Sequence, residues 1–282
     1  MIIDFHTHTF PDKSSEKIVN HLAHIGCIPP HTDGSVIGLF SSMKEADIDY
    51  SVNLPVMTKP EQVEKVNSSL IMQKEYFLDM KIITFGGMHP DYVNYKEELL
   101  RLKQAGIPGI KLHPAYQNVD LDDIRMMRII DEASSQGLIT LVHAGIDIGI
   151  YDHNYSSVAH ILKLLKEVAP KKLVLAHMGN WGCWKEVESD LAGAPVYFDT
   201  AFSYGPITPL PECSKAPYLP YNLHPDDFVR LARKHGTDKV LFGTDSPWEG
   251  QTDYVKRISH MTFTKKELEQ ILSENAKNLL TI

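Results

Sequence analysis

The sequence predicts one (β/α)8 TIM barrel of the α/β class, occupying residues 1–282 as a single domain. Three observations predict it. Short apolar runs rich in β-branched residues alternate with longer stretches of helical periodicity. There are eight such runs, and the strand–helix rhythm implies parallel strands joined by right-handed crossovers. The length of 282 residues is close to the roughly 250 typical of a closed barrel.

The eight expected strands are Ile2–His8, Tyr50–Leu54, Ile82–Gly86, Gly109–His113, Leu138–His143, Leu173–His177, Val196–Thr200 and Val240–Thr244. Helices are expected over Val63–Leu78, Tyr95–Gln104, Asp122–Ser135, Ser156–Val168, Pro225–His235 and Lys265–Leu280. The helix at Asp122 opens on acidic residues, which suits the positive end of the helix dipole. His21 and His24 read as a solvated helix face. Long connections follow the fifth strand (Asp147–Tyr155), the seventh (Ala201–Leu223) and the eighth (Ser246–Tyr254). All lie at the C-terminal mouth, where barrel enzymes keep their sites. An open doubly wound sheet is the alternative, but no G-x-G-x-x-G or G-x-x-x-x-G-K-[ST] follows any strand.

Composition narrows the function. With 28 basic and 36 acidic side chains the net charge is −8, and no Lys/Arg-rich run occurs. That argues against nucleic acid and against an anionic membrane surface as partners. No apolar stretch reaches the roughly 18 residues of a membrane span. The start carries no signal-peptide pattern. Cys27, Cys183 and Cys213 are scattered and odd in number, which argues against a disulfide framework and points to the cytoplasm.

The 14 histidines carry the chemistry. His6 and His8 end the first strand, His113 the fourth, His143 the fifth and His177 the sixth, and Asp245 follows the eighth. Residues two apart on a strand point the same way, so His6 pairs with His8 and Lys111 with His113. A closed barrel brings these ends around one axis. Taken singly, each has an ordinary structural reading: a buried His-x-His pair, or an Asp that caps a turn before Ser-Pro. Together, several imidazoles and a carboxylate suit Zn²⁺ or a similar ion with an open water position. In that arrangement Asp245 is the candidate proton shuttle, and His177 binds the metal or polarises the substrate.

The opening Asp4-Phe5-His6-Thr7-His8 resembles the D-x-H-x-H of the amidohydrolase superfamily. Gly109–Pro114, Val142–Gly145, Ala176–Gly179, Phe242–Pro247 and Ile271–Ala276 resemble its later motifs in order. The whole is similar to the amidohydrolase-2 branch, which includes the aminocarboxymuconate-semialdehyde decarboxylase-like enzymes. The resemblance implies a divalent metal, usually zinc, on His6, His8, His143 and Asp245, with His177 catalytic or a second-metal ligand. One ion is expected, two are possible, and Mn²⁺ is the alternative to zinc. In two-metal relatives a lysine at the position of Lys111 is carboxylated and bridges the ions. Here Lys111 could instead pair with an acid such as Asp199, or form a Schiff base.

The expected activity is hydrolysis of a small polar amide, lactone or ester by metal-activated water. The alternative is metal-dependent decarboxylation of a small aromatic or related acid, for which Lys59 and Lys111 are the cations nearest strand ends. His89, Tyr116, Gln117, Trp181, Trp184 and Trp248 could line the pocket. His153, His160, His224 and His235 have no spacing that singles them out. The partner is a small-molecule substrate, and the Pro- and Tyr-rich seventh connection could serve a homo-oligomer.

Overall fold

A computed structural model describes residues 1–213 and 223–282. Its parallel strands follow in chain order: Ile3–Thr7, Tyr50–Asn53, Ile82–Thr84 continuing as Gly86–Gly87, Gly109–Leu112, Ile139–Val142, Leu173–Leu175, Tyr197–Asp199 and Val240–Leu241. The third strand breaks at Phe85, whose N–H bonds Asn53 O at 2.9 Å, so the ladder to the second strand runs on. The ring closes between the eighth and first strands. Phe5 N–H donates to Phe242 O (2.7 Å), Asp245 N–H to His6 O (2.8 Å) and His8 N–H to Ser246 O (2.7 Å). This is the TIM barrel that the sequence predicts.

Strand residues alternate between two apolar layers, as a two-residue period requires. Val52, Ile139, Leu141, Val174 and Leu241 pack inside the barrel with Phe5 and Phe85. Ile110, Leu112, Val142, Leu173, Leu175, Phe198 and Phe242 face outward beneath the helices. A register shift between Asp4 and Thr7 breaks the alternation in the first strand. Ile3 and Phe5 therefore fill the interior, while the side chains of His6 and His8 still converge at the mouth.

The helical layer departs from the prediction in several places. Two helices, Ser15–Gly26 and Val36–Glu45, fill the first connection. The expected helix over Val63–Leu78 divides at Gln73 into Gln62–Met72 and Lys74–Asp79. The connection read as Ser246–Tyr254 gives way at Gln251 to a helix, Gln251–Ser259, that buries Tyr254 and Ile258. His21 and His24 are exposed on the first helix, as expected. Residues 214–222, most of the C-terminal half of the expected seventh connection, lie outside the described residues. Cys27 and Cys213 form a disulfide between the end of the first helix and that connection. This corrects the expectation from cysteine number, because sequence distance says nothing about Cα atoms that the barrel brings to 5.7 Å. Among the described residues no helix is long and apolar enough to cross a membrane.

Candidate metal centre at the barrel mouth

Parallel strands of one ring end at one mouth, and the predicted residues meet there. Asp245 Oδ1 lies 3.1 Å from His8 Nε2 and 3.4 Å from His6 Nε2. One ligand atom from each of the three falls within 4.8 Å of the others. Lys111 Nζ sits 3.3 Å from His6 Nε2. His177 Nε2 lies 3.0 Å from His143 Nδ1. The backbone is forced at two of these positions: His177 (φ 61°) and Asp245 (φ 70°) are left-handed. Non-glycine residues adopt that conformation at a cost and hold it where neighbours over-determine it. Here His177 N–H donates to Asp199 Oδ1 at 2.9 Å and Asp245 N–H to His6 O at 2.8 Å.

The hydrogen bonds fix which nitrogen of each ring is free. A carbonyl only accepts, so His8 Nδ1–H donates to Leu54 O (2.7 Å) and His177 Nδ1–H to Ala201 O (2.8 Å). His6 Nδ1–H donates to the buried Asp199 Oδ2 at 2.8 Å. In the neutral rings Nε2 is therefore a lone pair, and carboxylate or carbonyl partners of this kind are what metal-binding histidines use for orientation. Because His177 Nε2 accepts, His143 Nδ1 donates to it, and His143 Nε2 keeps its lone pair. That buried atom has no hydrogen-bond partner among the described residues.

His143 meets His177 and lies beside the first donor group. It stacks on His113 at 4.1 Å, and with His113 and Asp147 it forms a second donor group beside the first. His113 Nδ1 accepts from Tyr116 N–H at 3.3 Å and caps the short helix Pro114–Gln117. Its Nε2 consequently carries the proton and serves as a donor. A third donor group, Asp120, Asp122 and His160, lies nearer the surface with Asp120 paired to His153 and Asp122 to Lys163.

Burial sets the charge state. Desolvation holds His6, His113 and His143 well below the ordinary imidazole value, and His177 at about 4. All four are neutral at pH 7, as ligation requires. Burial also pushes Asp147 up to about 6, raises Asp199, and lowers Lys111 against the pull of nearby carboxylates. Lys111 is the one Lys or Arg among the residues lining the mouth cavity, of about 440 Å³, and it faces Asp147, Asp199 and Asp245. Two lining carboxylates, Asp147 and Asp245, with unprotonated Nε2 atoms beside them, form a donor set that fits a divalent cation, while Asp199 orients His6 from behind.

Asp147 and Asp199 were not among the expected site residues, although Asp199 was weighed as a partner for Lys111. Asp199 ends the seventh strand at a position equivalent to the histidines, and that signal was available. Asp147 lies in a connection and left no periodic trace. His89 caps its own loop by accepting from Asp91 N–H, and Gln117 donates to Met57 O and Met88 O, so both hold loops in place. Trp181 and Trp248 line the cavity, whereas Trp184 Nε1–H donates to His177 O. His235 is structural, stacked on Phe198 at 3.6 Å.

A barrel with this mouth defines a class of α/β-barrel enzymes with a polar centre at the strand ends. Residues 3–282 match the amidohydrolase family model, and the chain belongs to that family. No curated protein matches by sequence. Solved structures of similar fold include an uncharacterized TIM-barrel protein of Bordetella bronchiseptica, with TM-score 0.75, 18% identity and coverage of 99% of this chain and 98% of that one. A dihydroxybenzoic acid decarboxylase of Polaromonas, solved with bound manganese and 2-nitroresorcinol, has TM-score 0.70 at 12% identity, covering 99% and 96%. A probable 2-pyrone-4,6-dicarboxylic acid hydrolase of Acinetobacter baumannii, with citric acid bound, has TM-score 0.66 at 16% identity, covering 100% and 99%.

Proposed function

We propose that the protein is a metal-dependent hydrolase of an amide, lactone or ester. The observation that carries this reading is the convergence of His6 Nε2, His8 Nε2 and Asp245 at the floor of one cavity. These three would hold one divalent ion, zinc or manganese, with His143 and His177 as the nearest further imidazoles. Lys111 would join the set in a two-ion form. When bound, the ion supplies polarisation of a carbonyl oxygen and acidification of water.

The remaining work falls to this chain. Asp245 accepts the proton of the attacking water and returns it to the leaving group. His113 Nε2–H faces the cavity and can donate to a substrate oxygen, as can the hydroxyl of Tyr116, which burial keeps protonated. His177 is neutral and held by Ala201 O, so it orients without carrying charge. The apolar walls restrict water around these groups and strengthen each electrostatic contact.

Lys111 supports a second reading as a carboxy-lyase. A buried ammonium at the floor is a counter-ion for a substrate carboxylate, and several structures of similar fold are decarboxylases. Metal content per chain, measured for wild type, His8→Ala and Asp245→Ala after purification without added metal, tests the site. About one ion in wild type and loss in both variants supports it; a metal-free wild type that takes up none on reconstitution refutes it. Release of CO₂ without consumption of water selects the second reaction over the first.

A further inference from the structure

The cavity above the polar floor is walled by apolar side chains, and the first helix supplies part of that wall without a core to explain it. Val19 and Ala23 on this helix are buried at 1% and 3% exposure. Ile18 and Leu22, four residues apart and so one above the other, line the cavity and are half-buried. Val56, Ile148, Phe202 and Trp248 also line it. The helix thus carries one broad apolar face, with one edge packed and the other lining the cavity. The lining cation and the lining carboxylates, Lys111, Asp147 and Asp245, belong to the floor groups described above. A charged substituent seated on the wall would lose its hydration and gain no counter-ion.

We infer that the substrate is amphipathic: a carbonyl-type head on the floor and an uncharged apolar substituent of several carbons against the first helix, with Ile18 and Leu22 setting its reach. This rests on the proposed function for the head and on the wall alone for the tail. It narrows the small polar substrate expected from the sequence.

Two ligand series separate the halves. Trp181 and Trp248 line the cavity and report occupancy by fluorescence. Straight-chain alkanols, ethanol to octanol, probe the wall without a metal-binding head. Alkyl hydroxamates, acetyl to octanoyl, probe both on metal-loaded enzyme. Affinity should rise about fourfold per methylene in both series until the cavity is filled. Leu22→Gln keeps length and helix propensity, and the octanoyl-to-acetyl affinity ratio should fall by about tenfold, with an unchanged far-ultraviolet dichroism spectrum confirming the fold. Rising alkanol affinity with no hydroxamate binding leaves the tail subsite standing and removes the metal reading of the floor. Hydroxamates that bind without dependence on chain length, together with flat alkanol binding, overturn the inference.

Discussion

Asp199→Asn is the sharpest test of how the site is organised, because it changes one atom and reverses one hydrogen bond. Asp199 is fully buried, with Oδ2 accepting from His6 Nδ1–H at 2.8 Å. Its Oδ1 accepts from His177 N–H at 2.9 Å and Ala201 N–H at 3.0 Å. Asparagine keeps the Oδ1 bonds, so the backbone turn at His177 survives. The atom facing His6 becomes an amide nitrogen that can only donate. His6 Nδ1 must then accept, and its proton moves to Nε2. That nitrogen lies 3.4 Å from Asp245 Oδ1 and 3.3 Å from Lys111 Nζ, where the lone pair is needed. Losing such a supporting partner lowers metal affinity about 10- to 100-fold, or about 1.4–2.7 kcal/mol. Competition against a chromophoric chelator measures it, and ¹⁵N shifts of the His6 ring report the tautomer. An affinity within about twofold of wild type, with the Nε2 shift still that of a lone pair, would refute the tautomer argument.

Three further outcomes follow from the same geometry. His235 is held at about 4 by burial, against 6.5 in the unfolded chain, so the native state binds fewer protons. Its contribution is complete above pH 6.5 and is lost as pH falls toward 4, a difference of about 3 kcal/mol in all; urea titrations at pH 7.5 and 5 should show a decline, and His235→Gln should make it shallower without abolishing it, because the buried histidines at the mouth titrate in the same direction. Gly145 has φ +103°, and a Cβ there would lie 2.1 Å from Trp181 N and 2.6 Å from Trp181 O; Gly145→Ala should cost about 2–5 kcal/mol by chemical unfolding, and a loss below 0.5 kcal/mol would contradict the close approach. Reduction of Cys27–Cys213 releases a link across 186 residues and should lower stability by about 2–4 kcal/mol, read as a fall in the urea midpoint.

The barrel is legible because eight apolar runs alternate with helical stretches, and four of those runs end in histidine while Asp245 follows the eighth. Those strand ends point to His6, His8, His143, His177 and Asp245, and Lys111 follows as the residue facing the same way as His113. Of the helices in the first connection, the sequence shows only the solvated face at His21 and His24, and Val36–Glu45 is not expected. In Ser15–Gly26 the apolar residues Ile18, Val19, Leu22 and Ala23 form one contiguous face. One edge of that face, Val19 and Ala23, is buried, and the other, Ile18 and Leu22, lines the cavity. The expected connection Ser246–Tyr254 overlaps the helix Gln251–Ser259 in its first four residues, and that helix opens on Gly250 without a side-chain cap to mark its start.

The orientation of His143 shows where strand periodicity stops being informative. Period two places His143 inside the barrel, and it is inside. It does not say which way the ring turns, and two partners compete for it: His177 Nε2 takes its Nδ1–H, while Asp147 Oδ2 lies 3.8 Å from its Nε2. Asp147 comes from a connection four residues later, and its own turn places it, with Oδ1 accepting from Gly149 N–H at 2.8 Å. The first donor group is thus built from strand ends, which the sequence displays, and the second depends on a loop, which it conceals. A cation bound only by His6, His8 and Asp245 leaves His143 Nε2 facing Asp147. The surroundings of that lone pair are therefore set by the fifth connection as well as by the strands.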